Sequence, residues 1–354
     1  MKFAFSTFVA ATLSVITVQG AAVRGLTDPT LYVFGDSLSD IGALKQMTLG
    51  LIPPQPYWEG RFSSGPVWNE YTAKLLGYNL YNKALGGSTT DNKQTTLVDI
   101  LGINIPSTQD QINYFKFTRP LYSLDFTRNK DVAVLEVGPN DYFSQLPNLK
   151  SGAVSVDTFV NTLSTTVVSQ LEQLRKIGFK NIIVSNLPTI QYTPMATHDD
   201  VVALTNHTVT LYNQAMATKT NSWASSASGV NYVAICDLGK FVEITIQSQA
   251  ILNALGLTDT TTTCIQGLAT DSLAGIINSI LNSSSNPLCA DPGARYFFDD
   301  IHPAERIHRL YGYVAKEIAS ASFQGKTFDV TEASLLNLIS KYNLGSAVAK
   351  PVAI

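Results

Sequence analysis

Apolar residues in this chain gather first into short runs that stop abruptly at glycine, aspartate or asparagine. Leu31-Tyr-Val-Phe34 ends at Gly35-Asp36-Ser37-Leu38-Ser39-Asp40, Asp131-Val-Ala-Val-Leu-Glu-Val137 at Gly138-Pro139-Asn140-Asp141, and Asn181-Ile-Ile-Val-Ser185 at Asn186-Leu-Pro188. Such runs, closed by turn residues, read as buried strands, and Val230 to Ile235 is a fourth. Between them the apolar period changes. Phe159, Leu163, Val167, Leu171 and Leu174 step by three or four, as do Val202, Thr205, Val209, Tyr212 and Met216, so each set marks one face of a helix. His302-Pro303 precedes the stripe Ile307, Leu310, Tyr311, Val314 and Ile318, with proline placed for a helix start. A last helix is expected over Glu332 to Tyr342, with Leu335, Leu336, Leu338 and Ile339 on its inner face.

Strands alternating with helices predict an α/β fold whose mainly parallel sheet is covered on both faces. In such a fold the loops at strand C-terminal ends gather the site. The sequence has no repeat, linker or charge block that would mark a second domain. One domain is expected over residues 28–325, with a C-terminal helix and tail, 326–354, packed on it or extending it.

Charge and composition narrow the classes of function. The 354 residues carry 24 Lys+Arg against 27 Asp+Glu, a net charge of −3, which gives no electrostatic reason to bind nucleic acid. Charged residues are only 14% beside a hydrophobic 45%, so the chain is globular and can bury a full core. Lys2 followed by the apolar run Phe3 to Val18 and the small residues Gly20, Ala21 and Ala22 reads as a secretory signal peptide over 1–20, too short and too rich in hydroxyls for a membrane span. Secretion makes a disulfide admissible. Cys264 and Cys289, flanking a Ser/Asn-rich segment, are the expected pair, with Cys236 a buried thiol. The sequons at Asn206 and Asn282 permit glycosylation.

Acyl transfer by serine needs a hydroxyl, a neutral imidazole to take its proton, a carboxylate to orient that ring, and donors for the oxyanion. Four histidines are available. His198 and His207 fall in a polar helical stretch and His308 falls off its helix's apolar stripe, so all three read as surface residues. His302 differs, because Asp299 stands three residues before it and can reach the imidazole from the same turn. Ser37 follows the first strand, where a tight turn exposes its hydroxyl. Gly87 can bring a backbone N–H close to a ligand, and Asn140 can offer a side-chain amide. Taken singly, each of these is an ordinary turn or cap residue.

In this order the four blocks resemble the GDSL or SGNH hydrolases, a family of esterases, lipases and acetylesterases. Gly35-Asp36-Ser37-Leu38-Ser39-Asp40 is similar to the family's nucleophile block, Gly87 falls on its second-block glycine, Gly138-Pro139-Asn140-Asp141 matches its Gly-x-Asn-Asp block, and Asp299-Asp300-Ile301-His302-Pro303 its Asp-x-x-His block. The resemblance implies a three-layer α/β/α, flavodoxin-like fold without metal or organic cofactor. It implies Ser37 as nucleophile, His302 as base, Asp299 as its orienter, and an oxyanion hole of the Ser37 N–H, the Gly87 N–H and the Asn140 amide, with Gly86 the competing glycine. Asp36, Trp58 and Trp68 are the expected substrate-binding residues. The stretch Tyr57 to Trp68 looks like the one that follows the nucleophile block in secreted members.

The expected activity is that of a secreted, monomeric serine esterase acting on small-molecule or polysaccharide esters, short acetyl esters of carbohydrate foremost. A lipase or phospholipase is the alternative, with Ile244 to Leu257 or Leu273 to Leu281 as an apolar lid over a lipid interface; as plain core helices the same segments need no function. Two further readings compete. Asp299, Asp300 and His302 could join Asp36, Asp40 and Asp141 around a divalent metal, or Tyr57, Trp58 and Trp68 could stack on sugars in a non-catalytic binding protein.

Overall fold

A computed structural model describes residues 28–92, 99–100, 103–125, 127–265 and 280–345. The expected signal peptide, most of the segment Leu273 to Leu281 and the last nine residues of the tail lie outside them.

Five parallel strands form the central sheet: β1 (Thr30–Gly35), β2 (Asn79–Asn82), β5 (Val132–Glu136), β6 (Asn181–Ser185) and β7 (Tyr232–Cys236), in the order β2-β1-β5-β6-β7. Four are the apolar runs above, β6 residue for residue and the other three with ends moved by one or two residues. The fifth, β2, has no apolar run because it is an edge strand, half-buried along its whole length. A two-residue antiparallel pair, β3 (Asp99–Ile100) and β4 (Ile103–Asn104), stands apart from the sheet.

Alternation along the strands builds two cores. Tyr32, Phe34, Ala133, Leu135, Ile182 and Val184 face α3 (Thr108–Thr118), α5 (Val156–Ile177) and α7 (Val202–Ser226). Leu31, Val33, Val132, Val134 and Ile183 face α2 (Trp68–Leu76), α8 (Leu238–Gln247), α9 (Gln249–Leu255), α10 (Glu305–Ser322) and α11 (Glu332–Tyr342). The three-layer α/β/α arrangement and its flavodoxin-like strand order follow. Leu335, Leu338 and Ile339 of α11 are buried in the second core beside Ile251 and Leu255 of α9. Ile244 to Leu257 is therefore core helix rather than a lid: Ile251, Leu252, Leu255 and Leu257 are all buried.

A second small sheet pairs β8 (Asp259–Thr263) in parallel with β9 (Arg295–Phe297). Its polar strand Asp-Thr-Thr-Thr-Thr has no apolar signal to betray it. This sheet matters to the site because it carries the Asp299–His302 loop. Phe298 N–H donates to the carbonyl of His302 and Ala304 N–H to that of Tyr296, closing the loop on itself. Ile265 N–H donates to the Phe298 carbonyl alongside, and the adjacent Cys264 is bonded to Cys289 across 25 positions. Cys236 is buried, and burial pushes its thiol up to about 12. No helix among the described residues is long and apolar enough to cross a membrane.

Candidate active site

β1 and β5 lie side by side, and the chain leaves their C-terminal ends in different directions, which is where open α/β sheets form their crevice. The turn after β1 is tight. Ser39 N–H donates to the Asp36 carbonyl (3.1 Å) and Leu38 N–H to Asp36 Oδ1 (3.0 Å), which places Ser37 at the apex, almost buried. Gly35 sits opposite Glu136 in the strand pairing, and a Cβ on it would lie 2.6 Å from the Glu136 carbonyl oxygen. Only glycine fits there. Gln111 from α3 clips the same residue at both ends, accepting from Gly35 N–H (2.9 Å) and donating to its carbonyl (2.8 Å).

Ser37 Oγ lies 2.7 Å from His302 Nε2, and His302 Nδ1 lies 2.7 Å from Asp299 Oδ2. The remaining oxygen, Asp299 Oδ1, accepts from the backbone N–H groups of Ile301 (2.9 Å) and His302 (2.7 Å), so the three-residue spacing closes its own turn. Burial pushes Asp299 up, but the His302 charge, the hydrogen bonds of His302 and Tyr57, and the Ile301 N–H outweigh it and hold the carboxyl below its ordinary range. Tyr57 donates to Asp299 Oδ2 at 2.5 Å, and Phe62 covers the imidazole with ring centroids 5.1 Å apart.

Beside this series stand the expected donors. Asn140 occupies the first turn of α4 (Pro139–Ser151), buried, with its Nδ2 donating to the Ser88 carbonyl at 2.9 Å. Gly86 and Gly87 separate cleanly. Gly86 commits its N–H to Asp40 Oδ2 (2.9 Å), and a Cβ there would strike Phe62. Gly87 takes φ +84°, the left-handed region that favours glycine.

The carboxylates proposed as a metal cluster are dispersed among other duties. Asp40 accepts from Gly42, Ala43 and Leu44 N–H at the start of α1 (Ala43–Met47), and Asp141 accepts from the Thr90 N–H and hydroxyl. Burial pushes Asp141 up to about 7, against the Thr90 donors. Burial and then the Glu136 charge push Asp36 up. Burial raises Asp300 to about 7, assisted by the charge of Asp299. Among the described residues no group of three or more His, Cys, Asp or Glu is placed to hold a metal ion.

A cavity opens beside Ser37 and His302, walled by Asn140, Phe143, Ile190, Leu238, Phe241, Val242, Tyr296, Phe297, Ile301 and Ile307. Asp36 and Trp68 line it as well, but Trp58 does not. Trp68 is buried, its indole N–H donating to Ser39 Oγ (3.1 Å) and its ring set against Tyr311, so it is a wall and not a stacking platform. Trp58 is capped by the Arg61 guanidinium, 4.9 Å above its ring, and Tyr57 is fully buried. The sugar-stacking trio is therefore corrected: none of the three presents a free face to the cavity.

His198 and His207 are exposed as expected, but His308 is not a surface residue. It is 2% exposed, lines the cavity, and burial followed by the nearby His302 charge pushes it down to about 3. The helix stripe misses it because α10 is buried on more than one side, between α2 and the cavity. Sequence reading also misses Gln111, Glu136 and Ser39. Glu136 accepts from Ser39 Oγ (2.8 Å), and that hydroxyl takes the Trp68 indole, a chain beneath the Ser37 turn visible only once β1 and β5 are paired.

Hydroxyl, imidazole and carboxylate hydrogen-bonded in series at the switch point of a flavodoxin-type sheet form the arrangement that acyl transfer by serine requires. Residues 31–313 match the family model described as GDSL-like Lipase/Acylhydrolase, and the chain belongs to that family. It is a carboxylic ester hydrolase. A phosphatidylcholine-sterol acyltransferase of Aeromonas hydrophila is 28% identical over 344 residues, covering 88% of this chain and 96% of its own. The thermolabile hemolysin of Vibrio parahaemolyticus is 26% identical across 81% of this chain and 62% of its own. Among solved structures, the acetylxylan esterase Axe2 of Geobacillus stearothermophilus aligns over 84% of this chain and 93% of its own, at 16% identity and a TM-score of 0.36.

Proposed function

We propose that this protein is a secreted serine esterase that forms an acyl-enzyme on Ser37 and prefers lipid-like esters with an extended apolar acyl chain. The observation that carries the reading is the pairing of the Ser37–His302–Asp299 series with a cavity walled by aliphatic and aromatic side chains. His302 takes the Ser37 proton as the hydroxyl attacks the ester carbonyl. The Ser37 and Gly87 N–H groups and the Asn140 amide receive the oxyanion, the alcohol leaves with the proton from His302, and water repeats the path to release the acid. The cysteine pair and the apolar N-terminal run support secretion. The relative named for phosphatidylcholine supports a lipid ester over acetylated carbohydrate, for which buried Trp68 offers no open face and Trp58 lies outside the cavity.

Hydrolysis of p-nitrophenyl esters from acetate to palmitate tests the substrate class. Each methylene entering an apolar wall contributes about 0.8 kcal/mol, roughly fourfold in kcat/KM, until the cavity is filled. A rise from acetate through the medium chains is expected; a maximum at acetate would return the protein to short-chain carbohydrate esters. Replacing Asn140 with alanine is expected to lower turnover by about two orders of magnitude, the scale of deleting one oxyanion donor. Circular dichroism of that variant should match the wild type, and unchanged turnover removes Asn140 from the site.

A further inference from the structure

We propose that Tyr57 is a positioning residue of the reaction, so that Tyr57, Asp299, His302 and Ser37 act as one hydrogen-bonded series of four. The inference rests on the roles proposed above for the last three. Its geometric basis is that a single oxygen, Asp299 Oδ2, receives both the Tyr57 hydroxyl at 2.5 Å and the His302 Nδ1–H at 2.7 Å, while Oδ1 is occupied by two backbone N–H groups. Every acceptor position that matters on the carboxylate is thus assigned. Tyr57 is 0% exposed and Asp299 1%, so water cannot stand in for the phenol if it is removed.

The donor is held as firmly as the acceptor. The Tyr57 ring lies edge-on to Phe62 and Phe298, with centroids 5.9 and 5.3 Å away. Trp58 N–H donates to the Ser63 carbonyl, and Arg61 binds Glu70 through two nitrogens, at 2.6 and 3.2 Å. The same loop supplies Phe62 against the His302 ring, so residues 57–62 brace both Asp299 and His302. Burial and then the Asp299 charge hold the phenol well above its ordinary range, and it remains a donor wherever the enzyme works.

Two donors on one oxygen compete for its charge. The phenol withdraws part of the negative charge that steadies a protonated imidazole; without it Asp299 attracts that proton more strongly. The other titratable groups near these residues are Asp300 next to Asp299, Asp199 near Asp300, and His308 near His302. None of them donates to Asp299 Oδ2.

The test compares Tyr57→Phe with a variant carrying 4-aminophenylalanine at position 57, which restores an N–H donor on the same ring. For Tyr57→Phe the acid limb of the kcat/KM profile on a p-nitrophenyl ester should move upward, by about half a pH unit. The value of kcat should fall on the order of tenfold, a fraction of what general acid–base catalysis supplies, with KM little changed. The amino variant should recover most of both. Unaltered limb and kcat in Tyr57→Phe overturn the inference, as does equal impairment of both variants, which makes the role one of packing alone. If Tyr57→Phe does not fold, 3,5-difluorotyrosine decides: a stronger donor must move the limb downward, and an unmoved limb overturns the inference. Inactivity of folded wild type on every ester would instead strike the reading of Ser37, His302 and Asp299 itself.

Discussion

Replacing Ser37 with alanine is expected to lower kcat on p-nitrophenyl esters by about 10⁶-fold, leaving only what the oxyanion donors and the cavity supply. The substitution removes one oxygen from the apex of a turn that other groups hold. Asp36 is fixed by its own hydrogen bond to Leu38, Gly35 is clipped by Gln111, and Ser39 is tied to Glu136 and Trp68. Only the 2.7 Å contact to His302 is lost. Thermal stability should therefore stay close to wild type, and the variant should still bind esters in the cavity. Residual turnover above a thousandth of wild type would mean that the acyl group is carried elsewhere or that water attacks directly, and either outcome removes Ser37 as nucleophile. A fluorophosphonate probe gives a second reading: wild type should be labelled at Ser37 and the variant not at all.

The sheet and the positions of the residues that meet beside Ser37 were legible in the sequence for related physical reasons. A central parallel strand is buried on both faces, so it appears as an uninterrupted apolar run, and the turn that ends it must be made of glycine, aspartate or asparagine. Ser37 and Asn140 stand at such interruptions, whereas the Asp299–His302 pair showed itself by its three-residue spacing ahead of a helix start. The edge strand β2 and the small second sheet leave no such mark. β2 is half wet, and β8 is four threonines after an aspartate, yet β8 and β9 deliver the Asp299 loop. The residues that support the site were hidden for a different reason. Gln111 lies 76 positions from Gly35, Glu136 lies 97 from Ser39 and Tyr57 lies 242 from Asp299, so no local pattern could associate them. Tyr57 and Trp68 were assigned to a ligand surface because aromatic residues in a loop suggest one. Packing assigned them to the wall and the support of the site, since each could bury its ring while its polar tip met a partner inside.

Asp299→Asn separates charge and tautomer from shape, and is expected to lower kcat/KM by about 10⁴-fold while leaving the loop in place. The Ile301 and His302 backbone N–H groups require an acceptor at the Oδ1 position, so the asparagine carbonyl oxygen must stay there. Its amide nitrogen then replaces Oδ2 and faces both His302 Nδ1 and the Tyr57 hydroxyl. An N–H aimed at Nδ1 selects the imidazole tautomer with its proton on Nε2. That nitrogen can no longer accept from Ser37, so the base is present, correctly placed and in the wrong form. Tyr57 loses its acceptor in the same substitution, but not the reverse: Tyr57→Phe leaves Asp299 charged and His302 in its working tautomer. The two variants should therefore differ by about a thousandfold in kcat/KM, the ratio of the 10⁴-fold loss of the carboxylate to a roughly tenfold loss of its brace. A loss below tenfold in Asp299→Asn would show that the carboxylate does not select the tautomer, and the series from Tyr57 to Ser37 would have no catalytic meaning beyond packing.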